Sequence, residues 1–175
     1  GGNITAASAS AVLLNGITVK DNVTLAGGGS AEIPWSIKNN SISGNLTVTG
    51  PMTSAYSISL YSGGGALSVG QVSATNPGFG DVDLSADLGI QFEKVSAAGG
   101  SVTMTASAGS IRGTLDDTAA DISALRSVNL SAQDSAGGFI GNASFANPLD
   151  IVAGTAATDE VVLHAGGAIG ALGKP

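Results

Sequence analysis

Gly99-Gly100-Ser101-Val102-Thr103-Met104-Thr105-Ala106-Ser107-Ala108-Gly109-Ser110-Ile111-Arg112-Gly113 decides the fold. Val102, Met104 and Ala106 alternate with Ser101, Thr103 and Thr105. A period of two sends apolar side chains to one side of a strand and hydroxyls to the other. Glycines bracket the run, where a tight corner needs a residue without Cβ. Ile111 then begins a second apolar position just past the corner.

Working outward, the same unit recurs. It begins at Asn3-Ile4, Asn22-Val23, Asn45-Leu46, Asp81-Val82, Ser101-Val102, Ser127-Val128 and Glu160-Val161. The widest interval, between Leu46 and Val82, holds two more strand-like pieces, Tyr56–Leu60 and Ala66–Val69, and is read as containing an extra turn. Each unit has a second piece: Ile17-Thr18-Val19, Ile90-Gln91-Phe92, Ile111, Ile140 or Ile169. A fixed unit at loose spacing is the pattern of a solenoid with corner insertions. The spacing predicts an all-β, parallel β-helix of about eight coils. The inward residues are Val82, Leu84, Val102, Met104, Val128, Leu130, Val161 and Leu163. Thr114–Arg126 breaks the pattern, with Leu115, Ala119, Ile122 and Leu125 at helical spacing and Thr114 placed to cap, so a short inserted helix is expected there. Residues 1–175 read as a single β-helix segment that enters and leaves in mid-pattern, a window on a longer repetitive shaft.

Composition narrows the class. Gly is 27 of 175 residues and charged residues are only 11%, so Ser, Thr, Asn and Gly must cover the surface. The net charge is −7, with six scattered cations. Nucleic-acid binding needs clustered cations, so that partner is not expected. Without cysteine, no disulfide holds the chain and no thiolate serves a metal or a nucleophile.

The chain resembles the repeats of filamentous-haemagglutinin-type adhesins, exported by two-partner secretion. The residues that carry the resemblance are Gly100–Ala106, Val128–Ala132, Asn147–Ala153 and Val162–Gly170. It is clearest over residues 80–175. It implies a right-handed parallel β-helix shaft outside a bacterial cell, an outer-membrane secretion partner, and a role in adhesion, aggregation or biofilm. These motifs contain no functional residue to carry over.

The chemistry-bearing residues are sparse. Some β-helix proteins are polysaccharide lyases or hydrolases, which makes a carbohydrate-active enzyme the alternative. Asp81, Asp83 and Asp87 are its best carboxylates, but nothing apolar or cationic nearby suggests the pKa tuning that a catalytic pair needs. Gly78–Asp83 lacks the Asp placement and tandem copies of a calcium nonapeptide, and Asp116, Asp117 and Asp121 stand isolated. His164 is the only histidine and is expected to face outward. No cofactor or metal is expected. Among aromatics, Tyr56 is in phase with Ile58 and Leu60 and is expected in the core. Trp35 and Tyr61 are the candidates for exposed, sugar-stacking rings. Asn-x-Ser/Thr occurs at Asn3, Asn22, Asn39, Asn45, Asn129 and Asn142, as chance allows in so Ser- and Thr-rich a chain. The expected function is a non-enzymatic extracellular rod of a bacterial adhesin or matrix fibre. Its partners would be neighbouring repeats or subunits stacked end to end and host or matrix glycans. A self-assembling filament subunit is a further alternative.

Overall fold

A computed structural model describes residues 4–6, 17–19, 23–25, 29–31, 35–39, 42–115, 119–142, 148–154 and 156–170. Its strands wind into a right-handed parallel β-solenoid with three faces. The first face stacks β1 (Ile4–Ala6), β3 (Val23–Leu25), β6 (Leu46–Val48), the leading halves of β9 (Leu67–Ala74) and β11 (Ile90–Ala97), β13 (Ile111–Gly113) and β16 (Ile140–Asn142). The second stacks β4 (Gly29–Ala31), β7 (Met52–Ser54), the trailing halves of β9 and β11, β14 (Ile122–Ala124) and β17 (Ile151–Val152). The third stacks β2 (Ile17–Val19), β5 (Trp35–Asn39), β8 (Ile58–Ser62), β10 (Val82–Ala86), β12 (Val102–Ala106), β15 (Val128–Ala132) and β18 (Val161–Ala165).

The pairing is in register. Ile58, Val82, Val102, Val128 and Val161 are successive Cα partners up the third face. Leu60, Leu84, Met104, Leu130 and Leu163 follow two residues later. The side-chain period of two makes this register self-enforcing, because a one-residue slip would turn every aliphatic outward. Val82, Leu84, Val102, Met104, Val128 and Leu130 are fully buried, as their alternation predicts. Phe92, the largest fully buried side chain among the described residues, lies in register between Val69 and Gly113.

Four expectations are corrected. The solenoid has about four turns, with further strands stacked beyond them at each end, rather than eight coils. One sequence pattern opens strands on two faces. Ile4, Val23 and Leu46 stack on the first face, whereas Val82, Val102, Val128 and Val161 stack on the third. The long interval between the two sets holds one whole winding, from Leu46 to Leu67, and then the step to the third face.

No helix occurs among the described residues, and the one expected within Thr114–Arg126 is replaced by β14. Ile122 and Ala124 point inward while Leu125 is 52% exposed, a strand's alternation. Parallel pairing to Val95–Ala97 on one side and Ile151 on the other overrides the helical spacing. Residues 116–118 lie outside the described set. Val161 occupies an inward register position but is 46% exposed, and Leu163 is only half-buried, because β18 stacks on β15 alone among the described strands. Tyr56 is exposed rather than in the core, since residues 55–57 form a bend before β8 begins.

Corners are tight and hydrogen-bonded. A Cβ at Gly109 would overlap the Leu88 carbonyl of the preceding winding, so only glycine lets the two turns approach. Polar side chains link the windings there. Asn45 Oδ1 accepts from Ala66 N (2.8 Å), Ser110 Oγ from Phe139 N (3.1 Å) and Ser127 Oγ from Glu160 N (3.1 Å). Two buried polar residues serve the corner at residues 44–45: Asn39 Nδ2 donates to Asn45 O and Ser62 Oγ to Gly44 O, both at 3.0 Å. Among the described residues no buried side-chain polar atom lacks a partner, as a dry core requires.

Candidate functional site

The outward positions of the strands form ladders, one residue per winding, at the strand spacing of about 4.8 Å. On the third face one ladder runs Ser59, Asp83, Thr103, Asn129, and the next runs Tyr61, Ser85, Thr105, Ser131. On the second face Thr53, Ser73, Ser96 and Ser123 line up, with Ser96 Oγ donating to Ser73 Oγ at 2.8 Å. The first face presents Thr47, Ser68, Gln91 and Arg112. Hydroxyls and amides thus replace charge as the solvating groups.

Several carboxylates of the described residues are held by backbone. Asp81 Oδ1 accepts from Ser101 N (2.8 Å), one winding on. Asp87 Oδ2 accepts from Gly64 N (2.8 Å), one winding back. Buried Asp121 accepts from Asp150 N through Oδ2 (2.9 Å). Each satisfies a corner N–H that has no strand partner, a structural use of a carboxylate. Asp83 stands on the outward face two residues from Asp81. Partial desolvation pushes its pKa above the usual carboxylate value; a Ser85 hydrogen bond opposes this and the Asp81 charge adds to it. Asp116 and Asp117 lie outside the described residues. His164 is exposed on β18 in register with Ser131. No cluster of three or more His, Cys, Asp or Glu able to hold a metal occurs among the described residues.

The two aromatics singled out from sequence are not brought together. Tyr61 sits outward on β8 between Lys38 and Ser85, half-buried, its ring lying against Gly63. Trp35 opens β5 in register with Ile58; its side chain is outside the described residues. An open groove of about 200 Å³ crosses the first face and its edge, lined by Thr47, Thr49, Ser68, Gln91, Glu93 and Thr114. Beside it, sharing Gln91, a second hollow of about 230 Å³ reaches Ser110 and Arg112, whose guanidinium lies 4.7 Å over the buried Phe139 ring. These walls carry hydroxyl, amide, carboxylate and guanidinium groups.

Sequence reasoning missed a different pair. Tyr56 (38% exposed) and Phe79 (48% exposed) meet at the corner between the second and third faces, ring centroids 5.4 Å apart and tilted by 39°. Tyr56 belongs to one winding and Phe79 to the next. The signal that could have found them is the Asn76-Pro77-Gly78-Phe79-Gly80 run, a turn sequence that lifts an aromatic off the strand.

No family model matches the chain, and comparison with curated proteins and with solved structures gives no significant match.

Proposed function

We propose that this chain is a segment of a non-enzymatic extracellular rod, part of a bacterial surface adhesin or biofilm-matrix fibre. The reading is supported first by one observation: a continuous column of aliphatic residues, stacked in register, wrapped by faces whose outward positions are mostly hydroxylated and carry few charges. Such a stack contacts only its neighbouring layers, so it extends by adding windings and resists bending through ladders of backbone hydrogen bonds. The likeness to filamentous-haemagglutinin-type repeats gives the same direction, with an outer-membrane secretion partner, neighbouring repeats stacked end to end and surface glycans as partners. The carboxylates support a non-catalytic reading, because Asp81 and Asp87 are occupied by corner N–H groups.

The test is display of the chain on the surface of a non-adherent bacterium. Attachment to glycan-coated surfaces, or cell–cell aggregation, should rise relative to cells displaying an unrelated domain. No gain in either would refute the adhesive reading. The raised pKa of Asp83 beside Asp81 favours one second reading, a carbohydrate-active enzyme. Release of reducing ends from a polysaccharide panel, lost in Asp83→Asn, would establish it.

A further inference from the structure

Among the described aromatics Phe92 and Phe139 are buried and Tyr61 is half-buried, whereas Tyr56 and Phe79 are exposed and touch each other. Leaving two rings exposed forgoes the burial that most stabilises a chain with 4% aromatic residues.

The loop that presents Phe79 is fixed. Thr75 donates through both N (2.8 Å) and Oγ1 (3.1 Å) to Ser54 O, Gly78 N to Asn76 Oδ1 (2.9 Å), and Asp81 N to Ser57 Oγ (3.1 Å). On the other side, Tyr56 N donates to Ser54 Oγ (2.9 Å). Beneath the loop, a Cβ at Gly99 would overlap Asn76 O and Phe79 N, so the next winding leaves room for the loop to settle on it. The backbone that carries both rings is therefore fixed before any ligand arrives, and the rings pack on each other, which lowers the ordering cost of binding.

We propose that Tyr56 and Phe79 form a stacking platform for a neutral pyranose unit of a glycan. This deepens the adhesive reading and rests on it for its biological context. Two tilted rings offer flat apolar faces that match the C–H face of a sugar, whereas their area is far below the roughly 1,200 Å² that a stable protein interface buries. The ligand is neutral because the neighbouring carboxylates are exposed: Asp81 lies two residues beyond Phe79, and Asp83 follows on the same strand. An anionic glycan would meet repulsion from both.

The experiment is calorimetric titration of the purified 175-residue chain with cellohexaose, chitohexaose and maltohexaose, with a hyaluronan oligosaccharide as the anionic comparison. At least one neutral oligosaccharide should bind, more tightly than hyaluronan. Tyr56→Ala and Phe79→Ala should each weaken binding about tenfold, and Phe79→Tyr should retain it within about twofold. Circular dichroism should stay unchanged, since neither ring is in the core. The proposal is overturned if the wild type binds none of the three, if hyaluronan is preferred, or if the double alanine variant binds like the wild type. It is equally overturned if sedimentation shows self-association that the double variant abolishes, because the platform would then serve a second copy of the chain. All of these readouts use the isolated chain, so their failure is separable from failure of the cell-attachment assay.

Discussion

Val102→Asp tests the central physical claim. Val102 is fully buried, with Val82 and Val128 as its register partners in the adjoining layers. None of these side chains can donate to a carboxylate. Burial without a partner lifts a carboxyl pKa by up to 3–5 units, and at 1.36 kcal/mol per unit this costs about 4–7 kcal/mol at neutral pH. Loss of the valine's own burial adds about 1.5–3 kcal/mol. The total, about 6–10 kcal/mol, is comparable to the whole stability of a typical domain. The pH dependence has a definite sign. The folded-state pKa is raised, so the unfolded chain releases its proton first and stability falls as pH rises. Relative to wild type, the deficit should be smallest below about pH 4 and should grow by about 1.4 kcal/mol per pH unit until the shifted pKa is passed. Urea unfolding followed by circular dichroism between pH 3 and 8 measures this, with Val102→Ala, expected to cost about 1.5–3 kcal/mol, as the volume control. An aspartate variant that unfolds like the wild type at neutral pH, with no pH-dependent deficit, would refute the stacked dry core.

Other outcomes follow from the corners and the surface. Gly109→Ala forces a Cβ into the Leu88 carbonyl and should lower the melting temperature by several degrees, whereas Gly78→Ala, whose Cβ would meet only Asn76 Oδ1 at 3.5 Å, should shift stability by no more than about 0.5 kcal/mol. Asn39→Ala removes the donor to Asn45 O and should cost about 1–3 kcal/mol in chemical denaturation. Asp83 has a raised folded-state pKa, so its contribution is most favourable below the unfolded value and is lost as pH rises through the folded one. Asp83→Asn should therefore gain on the wild type in thermal melts at pH 7 compared with pH 3; an equal difference at both would contradict the partial desolvation assigned to that carboxyl.

The inward positions of the third face were legible because period-two alternation depends only on neighbouring residues. Val82, Val102 and Val128 need nothing else to be recognised. What a linear pattern does not carry is which face a strand belongs to. Leu46 and Val82 open with the same polar–aliphatic step but lie on different sides of the solenoid. Ile122 shows the opposite failure, for its spacing from Ala119 and Leu125 suits a helix until Val95 and Ile151 are known to flank it. Tyr56 misled in a third way. Its phase with Ile58 is real, but the bend at residues 55–57 interrupts the alternation. The aromatic corner was illegible for a related reason: Tyr56 and Phe79 come from successive windings and meet only once the chain has come full circle.

The distance between corresponding points on adjacent windings varies widely along the described strands, from 19 residues between Ile4 and Val23 to 33 between Val128 and Val161, yet the strand partners never slip. Surplus residues are taken up at the bends. The molecule therefore behaves as a gauge whose height is graduated in whole layers of about 4.8 Å, indifferent to how many residues each layer consumes. Lengthening a bend broadens the shaft; reach grows only when an entire lap is added.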